Sequence, residues 1–324
     1  MLGEFELIER FLTPSSAPAG QGGVALGCGD DAALLELRPG RQLVVSVDTS
    51  NVDVHFPTGA PAEAIGHRAL AVALSDLAAM GAGSRWCTMA LTQPRDAFAH
   101  ADQAARWYAD FARGFHRLCE RHATALVGGD VTSGPLGISV TVMGEVPTGQ
   151  ALTRAGARAG DIIAVTGALG GGAGGLLLWQ RGERDLSHPL LSRYLLPEPR
   201  LAAGIALRGR ASAALDISDG LLADLGHLRR ASNVGAELDM AALPAADGLV
   251  DAFGKREAQK MMLGGGDDYE LLVTLSPKDL DSARQALEKT GLSLTVIGRC
   301  SNTPGVHGVP LEMAQGWQHF EEAR

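Results

Sequence analysis

Aspartate is the residue whose placement in this chain could do chemistry. Five short segments share one arrangement, an apolar or strand-like run followed by aspartate beside glycine or another small residue. They are GCGDDAA with Asp30 and Asp31, VVSVDTS with Asp48, LVGGDVTSG with Asp130, LDISDGL with Asp216 and Asp219, and LGGGDDYEL with Asp267 and Asp268. Asp76 joins them from the apolar helical run LAVALSDLAAMGA. Carboxylate oxygen is the ligand magnesium prefers, and the ion typically draws on one or two carboxylates plus substrate phosphates while keeping several waters. Together the segments predict a multi-ion phosphate site, with aspartates at strand ends reaching the rim where ligands of open α/β sheets bind. Neighbouring glycines let a phosphate approach the backbone.

Each segment also has a plainer reading. Asp219-Gly220 is a common turn or N-cap pair, Asp130 in GGDVTSG suits a turn, and Asp30 and Asp31 suit a solvated loop tip. Adjacent residues of an extended chain point to opposite sides, so one member of each pair is expected to bind metal while the other caps or pairs locally. Asp76, on a very apolar helix, needs a partner, either a metal ion or a buried hydrogen-bond network. His55 and Trp317 are unremarkable taken singly, the one a structural hydrogen-bonder and the other a core plug.

Two familiar phosphate motifs fail. Lys255 in FGKRE lacks the upstream glycine and the following Ser or Thr of a P-loop. Gly170 to Gly175 spells G-x-G-x-x-G after a strand, but no strand-ending acid follows about twenty residues later, so a tight interdomain or helix-packing loop is the better reading.

The elements that must position the aspartates follow from periodicity. Residues 4–12 form an amphipathic first helix, and a strand at 42–47 precedes a long helix over 61–80 that carries Asp76 near its end. A strand at 87–91, a helix over 101–122 and strands at 125–127 and 137–142 complete a first α/β half. The turn-rich segment 147–160 separates it from a second half, dividing the chain into domains 1–148 and 149–324. There a strand from Asp161 leads through the glycine-rich loop into a helix reaching Trp179. Further helices are expected over 199–208, 219–231 and 277–290, with strands at 213–217, 236–239, 270–275 and 293–297.

The chain has 324 residues, 46% of them hydrophobic, which is enough for two cores. Its 28 Lys and Arg against 37 Asp and Glu form no basic face, so nucleic acid is an unsuitable partner. No apolar stretch is long enough to span a membrane, and the N-terminus opens acidic, which together predict a cytoplasmic protein. The four cysteines lack C-x-x-C spacing and read as reduced structural thiols.

Read in order, GDDAALLEL, SVDTSNVDVHF, ALAVALSDLAAMGA, VGGDVTSG, ALTRAGARAGD, DISDGLLADLGH and GGGDDYELL resemble the thiamine-monophosphate kinase family. The resemblance implies the two-domain aminoimidazole ribonucleotide synthetase-like α/β fold, with an N-terminal sheet pairing across a homodimer and a C-terminal α/β domain completing the active-site cleft. It implies magnesium ligation by Asp30, Ser46, Val47 through its carbonyl, Asp48, Asp76, Asp130, Asp216 and Asp219. Nucleotide contacts would come from Gly129, Asp130, Arg154 and Ser218, and thiamine phosphate contacts from His55, Asp267 and Trp317. Asp267 is one methylene shorter than the glutamate usual in the family, and Val47 and Val131 stand where threonine is frequent.

The implied reaction is ATP-dependent phosphorylation of thiamine monophosphate, the last step of thiamine diphosphate synthesis. No residue acts as general base, because a phosphate monoester is already largely anionic at neutral pH. Catalysis is then electrostatic, through metal-bound Asp30, Asp130 and Asp216. The alternatives are another ATP-dependent ligase or activating enzyme of the superfamily, a non-catalytic nucleotide-binding protein, and a dinucleotide-dependent oxidoreductase built on Gly170 to Gly175.

Overall fold

The structure, a computed structural model, describes residues 8–13 and 22–310. Of the expected first helix it therefore shows only one π-helical turn, Ile8–Leu12. Contacts divide the chain into two compact units, Met1–Leu77 with Ala82–Gly149 and Ala78–Gly81 with Gln150–Arg324.

The first unit runs through β1 (Val24–Leu26), β2 (Leu34–Leu35), β3 (Arg41–Asn51), α1 (Ala62–Ala79), β4 (Gly83–Gln93), α2 (Ala101–Arg121), β5 (Ala125–Ser133) and β6 (Gly137–Pro147). A four-stranded sheet has the order β3-β6-β4-β5. Only β4 and β5 pair in parallel, and α2 supplies the crossover such a pair needs. On one face Ile138, Val140 and Val142 of β6 stand opposite Leu91, Met89 and Cys87 of β4, and all are buried. The other face of β3 leaves Leu43, Val45 and Val47 exposed by 45%, 54% and 60%.

Helix α1 is rich in alanine, the best helix former, and is buried along most of its length. It crosses α2 backbone to backbone. A Cβ at Gly66 would stand 2.1 Å from the Phe111 carbonyl oxygen, and one at Gly114 would stand 1.9 Å from that of Glu63.

The second unit contains β7 (Ile162–Thr166), α3 (Gly171–Gln180), α4 (Pro189–Leu195), α5 (Leu201–Leu207), β8 (Ala211–Asp216), α6 (Leu221–Ser232), β9 (Gly235–Leu238), α7 (Leu249–Gly264), β10 (Leu271–Leu275), α8 (Leu280–Glu288), β11 (Leu294–Ser301) and β12 (Val306–His307). Its six-stranded sheet has the order β12-β9-β11-β7-β10-β8, and only β12 and β9 are parallel. The inner strands β7 and β10 are buried at every position, as runs apolar but for Thr166 and Thr274 require. A core of Ile163, Val165, Leu215, Leu225, Leu249 and Leu272 fills this unit.

Three expectations change. Both larger sheets are mainly antiparallel, and while Asp216 ends β8 as expected, Asp48 and Asp130 lie within edge strands rather than at strand ends. Most of the glycine-rich loop is helix, since α3 begins at Gly171. Its glycines serve packing, because a Cβ at Gly172 would meet the Asp267 carbonyl at 2.4 Å and one at Gly175 would meet that of Leu190 at 2.1 Å. Finally, α4 and α7 have no counterpart in the periodicity reading. Among the described residues, no helix is long and apolar enough to cross a membrane.

Candidate active site

In the first unit the predicted residues gather in two places. A pocket of about 500 Å³ is lined by apolar Leu12, Met89, Leu126 and Val127 together with Asp30, Asp31, Gly129 and Asp130. Asp30 Oδ1 accepts the Asp31 N–H at 2.8 Å, so this carboxylate is oriented by its neighbour's backbone. Gly129 lets β5 close on β4, since a Cβ there would stand 2.0 Å from the Met89 carbonyl oxygen. Asp130 follows it on the edge strand and is exposed.

Across the sheet lies the second group. Ser46 and Asp48, two residues apart on β3, share a face, and the Ser46 hydroxyl donates to the Asp76 carboxylate on α1. The hydrogen-bond partner that Asp76 needs is therefore present. Strand register puts Asp130 in one cross-strand row with Ala90, Ser139 and Thr49, on the face opposite Asp48. The unit thus brings Asp30 and Asp130 to one pocket and Ser46 to Asp76, with Asp48 on the Ser46 face of β3. Val47, between Ser46 and Asp48, turns its side chain outward.

His55 sits in the loop after β3. Its Nδ1 accepts the Asn51 N–H at 3.1 Å, which leaves the ring proton on Nε2, and its carbonyl accepts from Arg68 Nε at 3.0 Å. Arg68, 1% exposed, thereby ties the loop to α1.

In the second unit Asp216 ends β8, and Ser218 and Asp219 occupy the turn into α6. Asp224, in the first turn of α6, accepts the N–H groups of Ser218 at 3.1 Å and Asp219 at 3.0 Å on one oxygen. Burial, with the charges of Asp216 and Asp219 beside it, pushes the Asp224 carboxyl up to about 8. This crowding of acids is what a nearby cation relieves.

The Asp267-Asp268 pair divides its labour as adjacency requires. Asp268 is buried and accepts the Gly170 N–H at 2.7 Å and the Gly172 N–H at 3.2 Å, capping α3; burial pushes its carboxyl up to about 7. Asp267 adopts φ 68° and Tyr269 φ 51°, unusual backbone for these residue types. The Asp267 N–H donates to Ser218 O at 2.9 Å, and Tyr269 Oη donates to Asp267 Oδ1 at 2.8 Å. Next along the chain, Glu270 is fully buried and held by a two-pronged bond from Arg200, by Arg193 and by the Thr166 hydroxyl. The predicted substrate aspartate is therefore built onto the 216–219 turn. Arg154 is exposed, and Trp317 lies outside the described residues.

Asp224 and Glu270 were missed as supports of the site. The signal for Asp224 was an acid in the first turn of a helix that follows an Asp-Gly turn; nothing local marks Glu270, whose arginines lie 70 and 77 residues away.

Among the described residues, no three His, Cys, Asp or Glu side chains converge enough to hold an ion by themselves. The donors in each group are nonetheless oxygens, hydroxyl or carboxylate, which suits magnesium completing its shell with water and phosphate.

Residues 29–146 match the AIR synthase related protein N-terminal domain, and residues 158–309 match the corresponding C-terminal domain. Thiamine-monophosphate kinase of Escherichia coli (strain K12) is 41% identical over 330 residues, 98% of each chain. The chain belongs to the thiamine-monophosphate kinase family. The crystal structure of thiamine-monophosphate kinase from Stenotrophomonas maltophilia K279a superposes with a TM-score of 0.84 at 46% identity, covering 94% of this chain and 96% of that one. AaThiL complexed with AMPPCP and TMP gives a TM-score of 0.75 at 32% identity, covering 98% and 97%. The family of kinases and its two-domain α/β fold are thus those the ordered aspartate segments implied.

Proposed function

We propose that this protein transfers the γ-phosphate of ATP to thiamine monophosphate, giving thiamine diphosphate and ADP. The observation that carries the reading is full-length similarity to thiamine-monophosphate kinases in a chain whose acidic segments gather into oxygen-donor groups. In the reaction a terminal oxygen of the substrate phosphate attacks the γ-phosphorus in line, the new P–O bond forms, and the bond to the β-phosphate oxygen breaks with ADP as leaving group. No covalent enzyme intermediate is needed.

In this reading Asp30, Ser46, the Val47 carbonyl, Asp48, Asp76, Asp130, Asp216 and Asp219 hold magnesium, which supplies charge neutralisation between two phosphates that would otherwise repel. The Gly129 backbone, Asp130, Arg154 and Ser218 bind nucleotide. Arg154 presents a planar fork suited to phosphate oxygens. His55, Asp267 and Trp317 hold thiamine monophosphate. The exposed apolar face of β3 supports a homodimer formed through the N-terminal sheet, and the acidic chain is assigned to the cytoplasm.

The test is thiamine diphosphate formation from ATP and thiamine monophosphate, followed chromatographically with and without magnesium. Magnesium-dependent product is expected. Absence of product at saturating substrates, from protein that binds ATP, would sink the proposal.

A further inference from the structure

One side of the turn that carries Arg154 is held by a single hydroxyl. Ser232, the last residue of α6, donates from Oγ to the Arg154 carbonyl at 2.9 Å and accepts the N–H groups of Gly156 and Ala157, each at 3.1 Å. A serine hydroxyl has one proton to give and two lone pairs to receive with, so this one is fully used, and all three bonds go to one turn.

The other side of the turn is fixed by β8 and its own side chain. Ala214 N–H donates to Thr153 O at 2.8 Å, and the Thr153 hydroxyl donates to Ala155 O at 2.8 Å. Gly156 adopts φ 128°, with the place of a Cβ only 2.2 Å from Ser212 O. Because Arg154 itself is exposed, its direction comes from this backbone rather than from packing of its side chain.

Helix α6 connects two functional segments. Its N-terminus follows the turn of Ser218 and Asp219, and its C-terminus is Ser232.

We propose that Ser232 is a positioning residue for the nucleotide, its hydroxyl locking the 154–157 turn so that Arg154 is aimed at the polyphosphate. The inference rests on the reading of Arg154 as a nucleotide contact. Alanine at 232 leaves two N–H groups and a carbonyl without their partner, which loosens the turn while the 216–219 turn keeps its own support from Asp224.

Steady-state kinetics of the full-length enzyme at saturating magnesium tests this with Ser232→Ala, Ser232→Thr, Arg154→Ala and the double variant. Ser232→Ala is expected to raise KM for ATP about tenfold, the effect of losing bonds of this kind, with KM for thiamine monophosphate changed less than about twofold. Ser232→Thr, which keeps the hydroxyl, restores KM for ATP. In the Arg154→Ala background, Ser232→Ala adds nothing, because the two act as one unit. Should Ser232→Ala fail to fold, Ser232→Cys, with only a weak sulfur partner, takes its place with the same expectation.

A Ser232→Ala effect that persists undiminished without Arg154, or that falls equally on both substrates, overturns the inference. So does an unchanged KM for ATP when Arg154→Ala raises it. If Arg154→Ala leaves ATP affinity untouched, the Arg154 assignment itself fails, and the inference with it.

Discussion

At the scale of single residues, charge and hydrogen bonding make separate demands on the same aspartates. Asp216 and Asp130 are the clearest cases, one 6% exposed at a strand end and the other open to solvent on an edge strand. Replacing either by asparagine keeps the size and removes the charge. Asp130→Asn and Asp216→Asn are each expected to lower kcat by at least about a hundredfold, read as coupled ADP release, with the far-UV circular dichroism of the wild type. Full turnover in both would remove their metal-binding role. Asp268 makes a different demand, since burial favours a neutral carboxyl and outweighs the Gly170 and Gly172 N–H groups, which favour the charged one. An ordinary unfolded aspartate titrates near about 3.9, and the folded value is pushed up to about 7. The native state therefore holds this proton more tightly than the unfolded chain. Its contribution is complete below about pH 4, is lost as pH rises to about 7, and is level above that. Thermal midpoints recorded from pH 5 to 8 should fall, and Asp268→Asn should flatten part of that fall while lowering the midpoint at pH 5. An unchanged slope in the variant would mean that the buried carboxyl is not the titrating group.

At the scale of elements, the glycines of α3 show what periodicity can and cannot convey. A helix whose first turns read GGAGG has little intrinsic preference to be one. It forms because Asp268 caps its N–H groups and because close approach to the 267 segment and to α4 excludes any side chain. Gly172→Ala puts a Cβ 2.4 Å from the Asp267 carbonyl oxygen, and overpacking of this kind costs about 1–3 kcal/mol. A lower urea midpoint and a raised KM for thiamine monophosphate are expected together; a normal KM in a destabilised variant would separate the helix from the substrate segment. Elements with strong local signals, such as α1, α2 and β7, were legible in the sequence. By contrast, α7 was not, because Gly254 interrupts it with φ 76° and ψ 159°, nor was α4, seven residues started by a proline. Strand order was also beyond reach, since pairings such as β7 with β10 and β11 join segments more than a hundred residues apart. For the candidate site, type and spacing marked the aspartates proposed as ligands. They could not mark Ser232 or Glu270, whose contacts exist only in the folded chain.

At the scale of the whole molecule, the acidic chain must keep an apolar strand face from water. Among the described residues β3 is an edge strand, bonded on one side by β6 alone, and Leu43, Val45 and Val47 project from its outer face. Three neighbouring branched side chains left about half exposed form a patch that soluble monomers seldom tolerate, and an edge strand adds unpaired backbone groups beside it. In the proposed homodimer a second copy of the chain would supply the same apolar face and cover the patch by symmetry. Light scattering after gel filtration is expected to give twice the chain mass of 33.7 kDa. Lysine at both Val45 and Val47 would set four like charges into that contact, and the variant is expected to elute at the mass of one chain with unchanged circular dichroism. A wild-type protein that is already monomeric at micromolar concentration, or a double variant that remains dimeric, would show that β3 is not the dimer face.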